Sequence, residues 1–454
     1  MTAVGHPRPM PGARRAYRFP AFERTRLPNG IEVVVAPVRR LPLVTIRLVL
    51  DTGARQERRE EAGLAGLAAA ALAEGTTRLD SGALADEFER LGGALLTYAT
   101  WDSTHVRSTV LSGQLEPALR LLAEVVRSPA FDAREVDRLK EERLAELLEL
   151  RTEPRGLADE RFSGFLYPPA SRFSIQEGGS EKTVSPLTRD DCLRWHVRQF
   201  APAITALVVA GDVELDDVVR VAGSALGDWS AKPAVETPVD DSPRTLTRLT
   251  RILDRNGAPQ SELRLGHVGL RRQHPDFFNV AVMNAILGGV FNSRINMNLR
   301  EKNAFTYGAY SAYEWRRDAA PFLVSTAVAT GVTAPAIREI LAELYRMQQA
   351  APSDDELSLS TSYLDGVFPI RFETTDAIAG ALASLLTLRL PDDYYDTYRD
   401  HIRAVTADDV LRAARDHIHL DRLQVLAVGD REQVMPALDG LPLGPITIVG
   451  DDDE

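Results

Sequence analysis

Eight histidines and a single cysteine are the side chains best suited to hold a metal or attack a substrate, and their spacing limits what they can do. The histidines are His6, His105, His196, His267, His274, His401, His417 and His419. None falls in His-Glu-x-x-His or His-x-x-Glu-His, the patterns that set two imidazoles one helical turn apart on one face. His417 and His419 form His-Ile-His. That spacing chelates metal on a strand, but no carboxylate or third ligand accompanies it, so the pair reads as solvent-facing histidines at a helix end. Cys192 is alone, which rules out an internal disulfide or a thiolate metal cluster. It stands in a helical segment and reads as a small core side chain. Neither a Gly-x-Ser-x-Gly elbow nor a phosphate-cradling glycine loop ending in Lys-Ser/Thr occurs.

The elements that would position a site come in two sets. Thr188–Arg194 reads TRDDCLR and Thr406–Arg412 reads TADDVLR. Each is followed by a helical stretch and then an apolar strand ending in Gly-Asp, at Asp212 and at Asp430. Both landmarks repeat at the same offset of 218 residues (406 − 188 and 430 − 212). Equal spacing without gaps marks duplicated halves, each with its own core. A weaker echo links the segments starting at Thr97 and Ser311, each predicted as strand, turn, strand and amphipathic helix. Ala231–Arg248 is rich in proline and aspartate and has no apolar period, the composition of a linker. The predicted division is residues 1–235, a linker at 236–245, and residues 246–454. A helix is expected after Asp132, where Glu135 completes a capping-box pattern. Short strands paired in hairpins and separated by long helices favour α+β domains over a doubly wound parallel sheet.

Composition sets outer bounds. At 454 residues, 44% apolar and 26% charged, the chain is an ordinary folded protein of several core-forming units. Its net charge of −12 argues against nucleic acid and anionic membrane as partners. The arginine-bearing start lacks an apolar h-region, and no window reaches the roughly 18 apolar residues of a membrane span. Cytoplasm is the expected location. The GDDDE end reads as a solvated acidic tail.

Gly63–Thr76, GLAGLAAAALAEGT, resembles the ligand helix of the inverzincin peptidases related to pitrilysin, insulin-degrading enzyme and the mitochondrial processing peptidase. That helix reads Gly-x-Ala-His-x-x-Glu-His and closes on Gly-Thr. Gly63, Ala65, Gly75 and Thr76 keep the frame. The two histidine positions fall on Gly66 and Ala70, and the catalytic glutamate position on Ala69. Glu146 stands near the third-ligand position. Alone it holds no metal, since zinc needs about three protein ligands, and it reads as a solvated helix residue. LPNGIEVVVAP is similar to the family's first hairpin strand. LGGALLTYATWDST is similar to its substrate-side edge strand, with Asp102 and Thr104 in place and Leu96 where asparagine is usual.

His274–Ser311 closely resembles the family's C-terminal segment: a helix into Leu-Gly-Gly, then Ser-Arg, Leu-Arg-Glu-Lys, and a tyrosine opening a strand. The family's paired arginine and tyrosine match Arg300 and Tyr307. The resemblance spans about Phe22 to Pro442. It implies two duplicated domains, each a mostly antiparallel sheet with helices packed on one face. It further implies that Arg300 and Tyr307 reach across a clamshell to peptide substrate. There a neutral phenol and a permanently charged guanidinium are donors for a developing oxyanion. The implied role is that of the non-zinc subunit of a heterodimeric metallopeptidase, without metal or cofactor of its own, beside a homologous zinc-binding subunit. The alternatives are a catalytically silent structural member of the family and a peptide-binding module.

Overall fold

Thr188 and Thr406 each cap a helix through the same box: the threonine pairs with an aspartate three residues on, Asp191 in one case and Asp409 in the other. The helices they start, Arg189–Gln199 and Ala407–His417, have equal length and end at Phe200 and Ile418 with the same φ of −98° and ψ of 113°. The duplication read in the sequence is therefore a duplication of local structure. The computed structural model describes residues 16–450, so the basic leader at 1–15 and the acidic end at 451–454 lie outside the described residues.

Each half builds a six-stranded sheet. The first contains β1 (Glu23–Arg26), β2 (Glu32–Pro37), β3 (Leu43–Leu50), β4 (Leu96–Ala99), β5 (Thr104–Leu111) and β6 (Thr205–Gly211), in the order β1-β2-β6-β3-β5-β4. The second contains β7 (Leu249–Asp254), β8 (Gln260–Val268), β9 (Ala309–Tyr313), β10 (Pro321–Ala329), β11 (Gln424–Gly429) and β12 (Ile446–Val449), in the order β12-β7-β11-β8-β10-β9. Pairing is antiparallel except β2 with β6, β7 with β11, and β7 with β12. The strand–turn–strand–helix echo is β4, β5 and the helix Leu115–Arg127, matched by β9, β10 and the helix Thr333–Gln349. Residues 231–248 form neither helix nor strand.

Alternation along the strands sorts side chains to two faces. In β3, Val44, Ile46, Leu48 and Leu50 join the core shared with helices Leu64–Ala71, Leu115–Arg127 and Leu215–Leu226. The other face carries Val34, Val49 and Val208, which pack with Ile378 and Leu382 of the helix Thr375–Thr387, an element of the second half. The exchange is mutual. Leu157, Phe162 and Phe165 of the helix Pro154–Leu166, from the first half, cover Leu253, Leu426 and Val428 of the second sheet. Each sheet therefore packs its own helices on one face and receives one helix of the other half on the opposite face. Polar contacts fix the exchanged helix: Thr45 shares a 2.9 Å hydrogen bond with Thr375, and Arg47 donates to Asp376 at 3.1 Å.

Two local expectations change. Asp132 does cap the helix Ala133–Thr152, but its carboxylate accepts from Arg134 N at 2.9 Å, while Glu135 turns to Arg138 instead of closing a box. His417 and His419 are not solvent-facing. His417 is buried and meets Asp276 at 2.8 Å, and the His419 amide donates to His267 Nε2 at 3.1 Å. The cause is the second sheet's close packing against the end of the helix Ala407–His417, where Tyr313 donates to the His417 carbonyl at 3.0 Å.

Candidate functional site

The helix that resembles the family's ligand helix is Leu64–Ala71. It starts at Gly63, whose φ of 100° and lack of a side chain are both required, since a Cβ there would lie 2.8 Å from Val184. Its first amides point at a buried carboxylate: Glu57 accepts from Ala65 N at 2.6 Å and Gly63 N at 3.2 Å. Arg172, also buried, closes on Glu57 at 2.6 Å. A carboxylate at the positive end of a helix, with a guanidinium behind it, fixes the helix start firmly. Along the helix, Leu64, Ala65, Leu67, Ala68 and Ala71 face the core. Gly66 is exposed and Ala70 half-buried, so the two histidine positions of the resembled motif stand one turn apart on the outer face. Ala69, the glutamate position, is 1% exposed. Glu146 is exposed and paired with Arg143 at 3.0 Å. Glycine and alanine offer no donor atoms, and the remaining carboxylate is already engaged, so these residues do not fit a zinc ion.

The edge strand β4 is where the sequence put it, with Leu96 exposed. Asp102 and Thr104 are turned inward. Thr104 donates to the Thr52 carbonyl at 2.8 Å, and Asp102 accepts from Arg317 N at 3.2 Å. Burial raises the Asp102 pKa against the pull of Arg317. Behind β4, on β5, His105 is held neutral: burial first, then Arg47 and Arg107, lower its pKa to about 3.

In the second half the matching position, between β8 and the edge strand β9, is built for display. The helix Phe277–Asn284 runs into a π-helical turn, Ala285–Gly289, and a second π turn, Met297–Lys302, carries Arg300. Such turns widen a helix and re-aim its side chains. Gly288 lets the first turn touch β9: a Cβ there would meet Ser311 N at 2.5 Å. Asn296 accepts from Ala309 N at 3.1 Å, Asn284 donates to the Ser311 carbonyl at 3.1 Å, and Arg294 forks onto Glu356 at 2.6 and 2.9 Å. The Arg294 hydrogen bond lowers the Glu356 pKa to about 2.

On this braced frame Arg300 is 36% exposed at the side chain, with its guanidinium 4.6 Å from the Phe291 ring centroid and 3.5 Å from Glu301. Tyr307 lies in the bend two residues before β9 and is 95% exposed. No hydrogen bond joins the two among the described residues. Phe291, Met297 and Tyr310 are exposed as well, which makes this end of the second half an aromatic, donor-bearing surface.

A family model described as Peptidase M16 inactive domain matches residues 186–362, and one described as Insulinase (Peptidase family M16) matches residues 33–167. The chain belongs to peptidase family M16. The M16 chain is 27% identical over 342 residues to an uncharacterized zinc protease of Mycobacterium leprae (strain TN), covering 73% of this chain and 75% of that one. Among solved structures it is similar to a peptidase M16 inactive domain from Pseudomonas fluorescens, with a TM-score of 0.84, 25% identity, and coverage of 90% of this chain and 98% of that one. It also shares its fold with a protease from Helicobacter pylori, at a TM-score of 0.82, 19% identity, and coverage of 91% and 100%.

Other reactive groups in the M16 chain are occupied. Cys192 is buried, and burial pushes its thiol up to about 12. His274, Asp276 and His417 bring three ligand-type atoms within 4.8 Å of one another. However, Asp276 already accepts from Arg412 at 2.7 and 2.9 Å and from Asn279 at 3.0 Å, so the cluster ties the helix Phe277–Asn284 to the helix Ala407–His417. No local pattern marks the Glu57–Arg172 pair, whose members lie 115 residues apart.

Proposed function

We propose that this M16 chain is the non-zinc subunit of a heterodimeric zinc-dependent peptidase, working in the cytoplasm beside a homologous subunit that supplies the metal. Arg300 and Tyr307 bind the peptide and stabilise charge on the carbonyl under attack. The observation that carries this reading is the contrast within one chain: a helix whose outer face is Gly66 and Ala70, and a framed segment that presents a partly exposed Arg300 and a fully exposed Tyr307. The phenol is a donor that needs no counter-charge, and the guanidinium presents several N–H groups in a fixed fork, so together they suit a carbonyl oxygen gaining negative charge. The aromatic surround suits unfolded peptide, whose side chains it covers.

The test is reconstitution. The purified chain is mixed with a homologous subunit bearing His-x-x-Glu-His, and cleavage of unfolded peptides is followed. Cleavage that requires both chains supports the proposal. Cleavage by this chain alone in a chelator-sensitive manner refutes it, and peptide affinity with no cleavage in any mixture favours a binding module.

A further inference from the structure

Among the described residues, buried arginines follow a rule with one exception. Arg47 meets Asp376, Arg55 meets Asp318, Arg172 meets Glu57, Arg264 meets Asp159 and Arg399 meets Asp365. Arg251 donates to Gln424 at 3.0 Å. Arg272 is 6% exposed, yet among the described residues its guanidinium makes no hydrogen bond and no ion pair. Its neighbours are ring faces, with Cζ 3.4 Å from the Phe277 centroid and 4.8 Å from that of Tyr394. Burial lowers its pKa, with only tyrosines opposing, whereas the paired Arg55 and Arg264 are raised. Cation–π contact offsets part of the cost of an unpaired buried charge but does not satisfy its N–H groups.

Those N–H groups have somewhere to point. Arg272 lines a cavity of about 350 Å³ whose walls include Trp315, Phe372, Tyr395 and Ala377, with the exposed Arg371 also on its lining. No aspartate or glutamate lines it. Arg47 Nε and Arg107 Nε are sealed from solvent without a partner, but no atom of Arg272 is sealed in this way. The volume falls in the lower part of the range of about 300–1,000 Å³ typical of small-molecule sites, which combine apolar walls with one or two placed polar groups.

We propose that this cavity binds a monocarboxylate borne on an aromatic or aliphatic body, with the carboxylate on the Arg272 guanidinium and the body among the rings. Arginine matches a carboxylate with two parallel hydrogen bonds, and the rings exclude the water that would compete. The same chemistry is offered by a free organic acid and by the C-terminal residue of a peptide ending in an apolar side chain. The site is independent of the reading of Arg300 and Tyr307.

The experiment uses the full chain, titration calorimetry and thermal melts, with 3-phenylpropionate, octanoate, and a pentapeptide ending in phenylalanine as free acid or amide. One-to-one binding with a raised Tm is expected for a free carboxylate, and a preference for acid or peptide identifies the source. Arg272→Met is expected to weaken binding by about ten-fold or more, and also to raise the Tm of the ligand-free protein by removing an unpaired charge. Ala377→Phe, which fills the cavity and leaves Arg272 in place, is expected to abolish binding too, so a poorly folded arginine variant does not decide the matter. The proposal is overturned if no carboxylate binds, if either variant binds as well as the parent, or if 3-phenylpropanol or the peptide amide binds as well as the acid.

Discussion

Two regions occupy the same place in the duplicated plan, between β3 and the edge strand β4 in one sheet and between β8 and the edge strand β9 in the other, and they are built for opposite ends. After β3 comes the helix Leu64–Ala71, capped by a buried ion pair and packed on its alanines. After β8 comes a helix that loosens into two π turns and ends in a half-buried guanidinium and an exposed phenol. The first region is stable and chemically empty; the second accepts unfavourable exposure of aromatic surface and keeps its donors. Equivalent positions of a duplicated fold can thus be built for different ends while the sheets around them stay alike.

The contrast is most severely tested at the Glu57–Arg172 pair. Arg172→Met leaves a buried carboxylate unpaired and is expected to cost about 3–5 kcal/mol of stability, read by chemical denaturation. A loss below about 1 kcal/mol would show that the first region is not held by its cap. At the second region the expected loss is in rate. In the reconstituted pair, Arg300→Ala or Tyr307→Phe should lower kcat/KM roughly 100-fold, about 3 kcal/mol of transition-state stabilisation. Stability should change by less than about 0.5 kcal/mol, as expected at exposed sites. A large stability change with unaltered cleavage would reverse the roles assigned to the two regions.

Acid treats the halves alike. His105 and His267, one in each sheet, both have pKa values lowered by burial to about 3. The unfolded chain takes up these protons below about pH 6.5 and the folded one does not, so stability is complete above that pH and falls as the solution is acidified towards 3. The slope is about 1.4 kcal/mol per pH unit per histidine. His267→Gln should remove one share of that slope between pH 6.5 and 5, which urea titrations at several pH values would reveal. The smallest effect is at Gly66. A Cβ there meets nothing within 4 Å, so Gly66→Ala should raise stability by about 0.5–1 kcal/mol through helix propensity. A decrease would mean that the outer face of the vacated helix is in contact with something.

Much of this was legible in the residues. The repeat at 218 residues, the Thr-Asp caps and the frame around Arg300 are local signals, and local signals survive in sequence. The exchanged helices were not legible, because an amphipathic stripe such as that of Thr375–Thr387 says that a face is covered but not whose sheet covers it. The burial of His417 is hidden from the sequence for a related reason: its partner Asp276 lies 141 residues away. Arg272, within LRRQ, has the appearance of a surface charge, and only the assembled rings of Phe277 and Tyr394 reveal it as buried.

The mutual loan of helices between the halves has a consequence for any attempt to take the molecule apart. Severing the chain between residues 231 and 248 would not release two smaller proteins. Each fragment would keep a sheet with one bare apolar side, formed around Val34, Val49 and Val208 in one piece and Leu253, Leu426 and Val428 in the other. Such surfaces aggregate in water, so the fragments should be recoverable only when made together, and neither half is expected to reach its native form before its counterpart has been synthesised.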